Sequence, residues 1–153
     1  MMLPDPNRTE IDYVCHHMRE ASREELLTVR SGGAHELAQE LSASGGFKWV
    51  GYHNGRPAAL IGAFPIHQGV WGLFGLGTDD WKNIWRAVTL VAKRDMMQAV
   101  SGSGAHRAQC ATLESHVETH KWLRFLGATH EAELPGYGKN GEDYRIFSWL
   151  RKT

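Results

Sequence analysis

The chain has 153 residues, enough for one core, and its 42% apolar and 22% charged composition is that of a folded domain rather than of a disordered segment. Lys plus Arg equal Asp plus Glu at 17 each, so there is no global positive field to gather phosphates, and nucleic-acid binding is not expected. The longest mainly apolar stretch, Pro57 to Ile66, is too short to cross a bilayer, and the start Met-Met-Leu-Pro-Asp-Pro lacks the segments of a signal peptide. The expectation is one soluble, cytoplasmic domain over residues 1–153, without a membrane partner.

In chain order, Ile11 to Met18 reads as a strand. Arg19 to Val29 reads as a helix in which Ser22 can cap with Glu25 three residues later. After Gly32 and Gly33, Leu37, Ala38 and Leu41 share one helical face over His35 to Leu41. From Phe47 the period becomes two: Lys48 to Tyr52 and Pro57 to Phe64 are strands joined by His53-Asn54-Gly55, a hairpin signal because Asn-Gly accepts positive φ. Val70 to Gly77 supplies another strand. Its glycines, Gly72, Gly75 and Gly77, mark either a close approach of another backbone or ligand, or tight packing under Trp71 and Phe74.

Thr78, Asp79 and Asp80 present capping chemistry before a long helix, Trp81 to Val100, whose stripe is Trp81, Trp85, Val88, Ala92, Met96 and Ala99. Arg107 to Leu113 reads as a buried strand. Ser115 can cap a helix over Glu114 to Leu126 that Gly127 ends. Thr129 to Leu134 and Tyr144 to Leu150 pair as a hairpin across the loop containing Asn140-Gly141. The order β-α-α-β-β-β-α-β-α-β-β predicts a mixed α/β fold: a twisted sheet of six or seven strands with helices on both faces.

That order, with the ending Lys121-Trp122-Leu123-Arg124-Phe125-Leu126-Gly127-Ala128, resembles the GNAT (GCN5-related N-acetyltransferase) fold. More narrowly, Trp71 to Trp81 with Asp79 and Asp80, the basic helix that follows and the His-Lys-Trp-Leu-Arg-Phe-Leu-Gly-Ala ending resemble the GNAT-like internal virion or morphogenesis proteins of short-tailed bacteriophages. The GNAT resemblance implies an acetyl-CoA site where the fourth strand meets the next helix, held by a Gln/Arg-x-x-Gly-x-Gly/Ala loop. The residues corresponding to that site are Leu76, Gly77, Thr78 and Lys82, with His116 where the family commonly has an asparagine contacting coenzyme A.

The loop here is Gly77-Thr78-Asp79-Asp80-Trp81-Lys82-Asn83. The bare backbone donors of a helix N-terminus suit a diphosphate. Carboxylates in the first turn take those donors and repel phosphate, at about 1 kcal/mol per contact in water and about 4 at an effective dielectric near 20. The family's tyrosine acid, four residues before the helix-ending glycine, is replaced by Leu123. Glu114, at the end of the central strand, reads equally as a general base or as an acid serving the helix dipole. Tyr137 and Tyr144 flank the last hairpin loop, where tyrosines commonly cover the core.

His116 and His120 have the i, i+4 spacing of metal ligands, with Cys110 and Glu118 nearby, but the string His-Val-Glu-Thr-His is not the zinc-protease pattern and no metal is expected. Cys15 and Cys110 form no Cys-x-x-Cys pair and are expected as buried thiols. Trp71, Trp81 and Trp85 are expected around the cofactor entrance, where they plug it or form an interface. The resemblance therefore implies a GNAT-fold phage protein with a degenerate site, no cofactor, no catalytic residue, and phage structural proteins as partners in the host cytoplasm or the virion. The alternative is an active acetyl-CoA-dependent N-acetyltransferase with Glu114 as base.

Overall fold

In the computed structural model, which describes residues 1–151, the chain opens with a short strand, β1 (Met2–Pro4), and then forms helix α1 (Arg8–His16) where a strand was expected over Ile11 to Met18. The reason is local. Asn7 Oδ1 accepts from the Glu10 N–H and Glu10 Oε1 accepts from the Asn7 N–H, a complete capping box. Ile11, Val14, Cys15 and Met18, all buried, follow at i, i+3, i+4 and i+7. Helix α2 (Glu20–Leu27) starts from Arg19, not from Ser22. Helix α3 is Ala34–Ala43.

Strands β2 (Phe47–His53), β3 (Arg56–His67) and β4 (Val70–Gly77) form an antiparallel meander. The β2–β3 turn has Asn54 and Gly55 at φ 50° and 74°, as the Asn-Gly pair predicts. The long helix is interrupted: α4 (Trp81–Val91), a π turn (Ala92–Met96) and α5 (Met97–Gly102). Ile84, Val88, Val91 and Ala92 point inward at ordinary helical spacing while Trp85 is 46% exposed, and the wider π turn keeps Met96 and Val100 on the same buried face. Strand β5 (Arg107–Leu113) leads to α6 (Val117–Phe125), then β6 (Thr129–Leu134) and β7 (Tyr144–Leu150). His116, not Ser115, holds the N-cap position of α6, with no side-chain cap bond.

The seven strands run in the order β1-β2-β3-β4-β5-β7-β6, antiparallel except for β4 beside β5. On one face α1 and α3 bury Leu37, Val50, Leu60 and Leu76. On the other, α4, the π turn and α6 pack over Ala59, Ile61, Ala63 and Ala108, with Phe147 under α6. This is the mixed sheet with helices on both faces that the element order predicts. Among the described residues no helix is long and apolar enough to cross a membrane.

Candidate functional site

The parallel ladder between β4 and β5 is only three residues long, Val70 to Gly72 against Arg107 to Gln109. Each strand runs on, β4 to Gly77 and β5 to Leu113. Beyond the ladder they diverge and open a cleft of about 710 Å³ that passes through the sheet. One wall comes from α2 and carries Arg19, Ser22, Glu25 and Leu26; the other comes from α4 and α6 and carries Trp81, Trp85, Trp122 and Leu123. Such a splay exposes strand-edge backbone that a ligand can pair with.

The first turn of α4 is closed by Thr78 rather than by the carboxylates expected there. Thr78 Oγ1 accepts from the Asp80 N–H at 3.1 Å, and Thr78 O accepts from the Trp81 N–H at 3.0 Å. Asp80 stands at the N-cap with φ −78° and ψ −5°, helical rather than extended, and its side chain makes no cap bond. Its carboxylate turns to Arg56 at 3.2 Å and to Asn83 Nδ2 at 3.5 Å. Asp79 is exposed. Neither carboxylate lines the cleft, whereas Lys82 does.

Gly77 is fixed by its neighbours. Its N–H donates to Ser22 Oγ at 3.1 Å, and a Cβ here would come within 2.6 Å of the Trp81 ring and 3.1 Å of Ala58 O. The Trp81 indole therefore lies against the backbone of the loop. Arg19 covers that ring with its guanidinium 5.0 Å from the centroid, and burial lowers the Arg19 pKa.

On the α2 wall Glu25 is held from two sides. The Tyr144 hydroxyl donates to its backbone carbonyl at 2.7 Å, and His116 Nδ1 donates to Glu25 Oε2 at 2.8 Å. His116 Nε2 donates to Glu24 Oε2 at 3.4 Å, so both ring nitrogens face carboxylates. The pKa of His116 is raised, chiefly by its bond to Glu25. On the opposite wall Trp122 meets Trp81 edge to face with centroids 5.8 Å apart and donates from Nε1 to Thr89 Oγ1 at 2.8 Å. Thr112 also borders the cleft. It is 1% exposed, and among the described residues its Oγ1 has no hydrogen-bond partner.

Of the residues singled out from sequence, Lys82, Trp81 and Trp85 line the cleft; Leu76 is buried against α1 and α3, and Gly77 and Thr78 form the loop at its rim. His116 lies behind Glu25. Glu114 is exposed, 3.8 Å from Arg145, and its N–H donates to Asp143 O; it does not line the cleft. Trp71 sits away from the entrance, stacked on Phe47 at 5.5 Å. Tyr137 is exposed and Tyr144 buried, their rings 5.4 Å apart. His120 is buried and donates from Nε2 to Leu113 O at 2.9 Å, and burial lowers its pKa. Among the described residues no three His, Cys, Asp or Glu side chains converge on one point. Cys15 and Cys110 are free thiols, each pushed up to about 12 mainly by burial.

Sequence reasoning missed Glu25, Ser22, Thr112 and Trp122 as cleft residues. Glu25 and Ser22 were absorbed by a capping motif they do not form. The signal that could have corrected this is Asn7-Arg8-Thr9-Glu10, which shifts the first helix upstream and frees the α2 residues for another role.

No model of a known protein family matches the sequence, and no curated protein matches it. Solved structures do. The chain is similar over its whole length to yncA from Salmonella typhimurium, solved with its cofactor acetyl-CoA, with 95% of that chain covered, 10% identity and a TM-score of 0.76. It is similar over 97% of its length to the ribosomal-protein-alanine N-acetyltransferase of Brucella melitensis, covering 99% of it, with 12% identity and a TM-score of 0.75. The Escherichia coli ribosomal-protein-S18-alanine N-acetyltransferase matches at 14% identity and TM-score 0.69, with 100% and 96% of the two chains covered. The chain thus has the fold of the GNAT acetyltransferases. These neighbours lend nothing to the phage likeness.

Proposed function

We propose that the chain is an acyl-CoA-dependent N-acyltransferase working in the cleft between β4 and β5. The observation that supports this most is the cleft itself: two strands held apart over about 710 Å³, with a mouth carrying Arg19, Lys82 and Lys121. Lys121 is paired with Glu118 at 3.4 Å, while among the described residues no ion pair engages Arg19 or Lys82. Of the two carboxylates that sequence placed on the phosphate position, Asp80 is turned to Arg56 and neither lines the cleft, which lowers the repulsion expected there.

The residues present fit a coenzyme A thioester. Lys82 and Arg19 would hold its phosphates, and Thr112 Oγ1 on β5, unpartnered among the described residues, is a further donor in the lining. When bound, the thioester supplies the electrophilic acyl carbon. Glu25 faces the cleft from the other wall, and its carboxylate would accept the proton of the incoming amine as the amide bond forms and the thioester C–S bond breaks, and return that proton to the departing coenzyme A thiolate. His116, donating to Glu25 Oε2, orients that carboxylate and balances its charge. Glu25, not Glu114, is the base in this mechanism.

A second reading keeps two observations: Leu123 carries no acidic proton, and the Gly77 N–H is already taken by Ser22. On that reading the protein works by contact alone, as a component of a phage particle with phage structural proteins as partners and exposed Trp85 as an anchor. Calorimetric titration with acetyl-CoA separates the two. Saturable binding at micromolar concentration is expected. No heat up to millimolar cofactor would leave only the contact reading.

A further inference from the structure

Four glycines of β3 and β4 border the two helical layers, and three are demanded by packing. A Cβ at Gly62 would come within 2.5 Å of Phe74, one at Gly72 within 2.5 Å of Phe64, and one at Gly77 within 2.6 Å of Trp81. Gly75 differs. A Cβ there meets only Ile61 Cγ2 at 3.6 Å, an ordinary contact, and its φ lies outside the left-handed region. A glycine in mid-strand loses more backbone freedom on folding than any other residue, so the fold supplies no reason for it. Gly75 is exposed to the cleft, directly across from the buried Ile61 in the β3–β4 register, and its bare Cα leaves open the space that a side chain would take on the cleft floor.

We propose, resting on the acyl-CoA reading above, that the closed end of the cleft is a pocket for an acyl group longer than acetyl, and that Gly75 keeps it open. The cleft is charged at one end and apolar at the other. Around Gly75 and on toward the point where β4 and β5 rejoin, it is lined by Leu73, Ile61, Met96, Leu126 and Trp149. Trp149 stands opposite Ala108, a residue of the short β4–β5 ladder, in the β5–β7 register and donates from Nε1 to Leu126 O at 3.0 Å, which places both at the closed end. None of these five side chains is charged, and methionine adapts to irregular apolar shapes. The mouth has Lys82 and Arg19 for phosphates. The ligand that matches both ends is a coenzyme A thioester with several methylenes in its acyl chain.

The test is calorimetric titration of the whole chain with acetyl-, butyryl- and octanoyl-CoA, for wild type, Gly75→Leu and Gly75→Ala, with thermal unfolding of each. Each buried methylene strengthens binding by roughly threefold to fourfold, so octanoyl-CoA is expected to bind the wild type at least about tenfold more tightly than acetyl-CoA. Gly75→Leu should weaken octanoyl-CoA binding far more than acetyl-CoA binding and so lose most of that advantage, and Gly75→Ala should lose part of it. A wild type that binds acetyl-CoA as tightly as the longer thioesters overturns the proposal, and that series decides even if Gly75→Leu does not fold. Equal loss of all three thioesters in Gly75→Leu also overturns it, because the residue would then serve the coenzyme A arm. Absence of binding by every thioester rejects the acyl-CoA reading itself, and the pocket with it.

Discussion

The two walls of the cleft are made of different chemistry. The α2 wall is polar and cross-linked: Glu25, His116, Glu24 and Tyr144 form a chain of hydrogen bonds spanning more than ninety residues of sequence. The α4–α6 wall is aromatic and apolar inside its charged mouth, held by Trp81, Trp122 and Leu123, and beside it on β5 lies Thr112, whose hydroxyl has no partner among the described residues. A polar network fixes a carboxylate in one orientation, and an indole-lined wall excludes water. The difference teaches that one wall is suited to moving a proton and the other to holding an apolar ligand. Changes on the first should therefore alter rate, and changes on the second should alter affinity and stability.

The largest expected effect tests that division directly. Glu25→Gln should lower the turnover of acyl transfer by about 10² to 10⁴ while leaving acetyl-CoA affinity within about threefold. A stopped assay of released thiol, with titration of the same protein, measures both, and equal loss of affinity and turnover would erase the distinction between the walls. Next, Trp122→Ala removes the contact with Trp81 and the bond to Thr89. It should cost about 3 kcal/mol of unfolding free energy in urea, the low end for a large aromatic because Trp122 is only partly buried. A change below about 1 kcal/mol would show that the indole is not what supports this wall.

The two histidines of the β5–α6 region should titrate in opposite senses. His116 has its pKa raised above 6.5, so the stability it contributes is fully present below pH 6.5 and is lost as pH rises through its folded value. His120 has its pKa lowered by burial, so its contribution is present above pH 6.5 and is lost as pH falls through its folded value. Histidine ring signals followed by NMR against pH should split to either side of 6.5. Glu25→Gln should return only His116 toward the ordinary range, and movement of both together would mean that the walls are coupled.

The smallest effect is at Thr112. Replacing it with valine removes a buried hydroxyl that has no partner among the described residues, so stability should be unchanged or rise by up to about 1 kcal/mol, while acetyl-CoA affinity falls. Denaturant midpoints read the first and calorimetry the second; a marked loss of stability would mean that the hydroxyl has a structural partner in solution.

Much of the architecture was legible because it is written in short-range signals. The Asn54-Gly55 turn, the alternation of β2 and β3, and the glycine ending α6, Gly127 at φ 99°, are decided by neighbours in sequence. The first helix was misread because the alternation of Ile11 and Tyr13 hid the capping box at Asn7 and Glu10. The π turn was not legible, since one inserted residue leaves the 3.6 period nearly intact on either side. The site was less legible than the fold. Asp79 and Asp80 read as caps because composition favours it, but Asp80 adopts helical dihedrals that point its side chain toward Arg56 instead.

The sequence by itself determined the layered sheet, its hairpins and the position of the loop before α4, because hydrophobic period and turn chemistry act over a few residues. Only the tertiary structure decided what stands in the cleft. Glu25 meets His116 across 91 positions and Ser22 meets Gly77 across 55. The opening between β4 and β5 comes from a ladder that stops after three pairs. None of these has a local signature, because each is set by how separate elements come to rest against one another, and the packing energy that sets it is shared by residues distant in the chain.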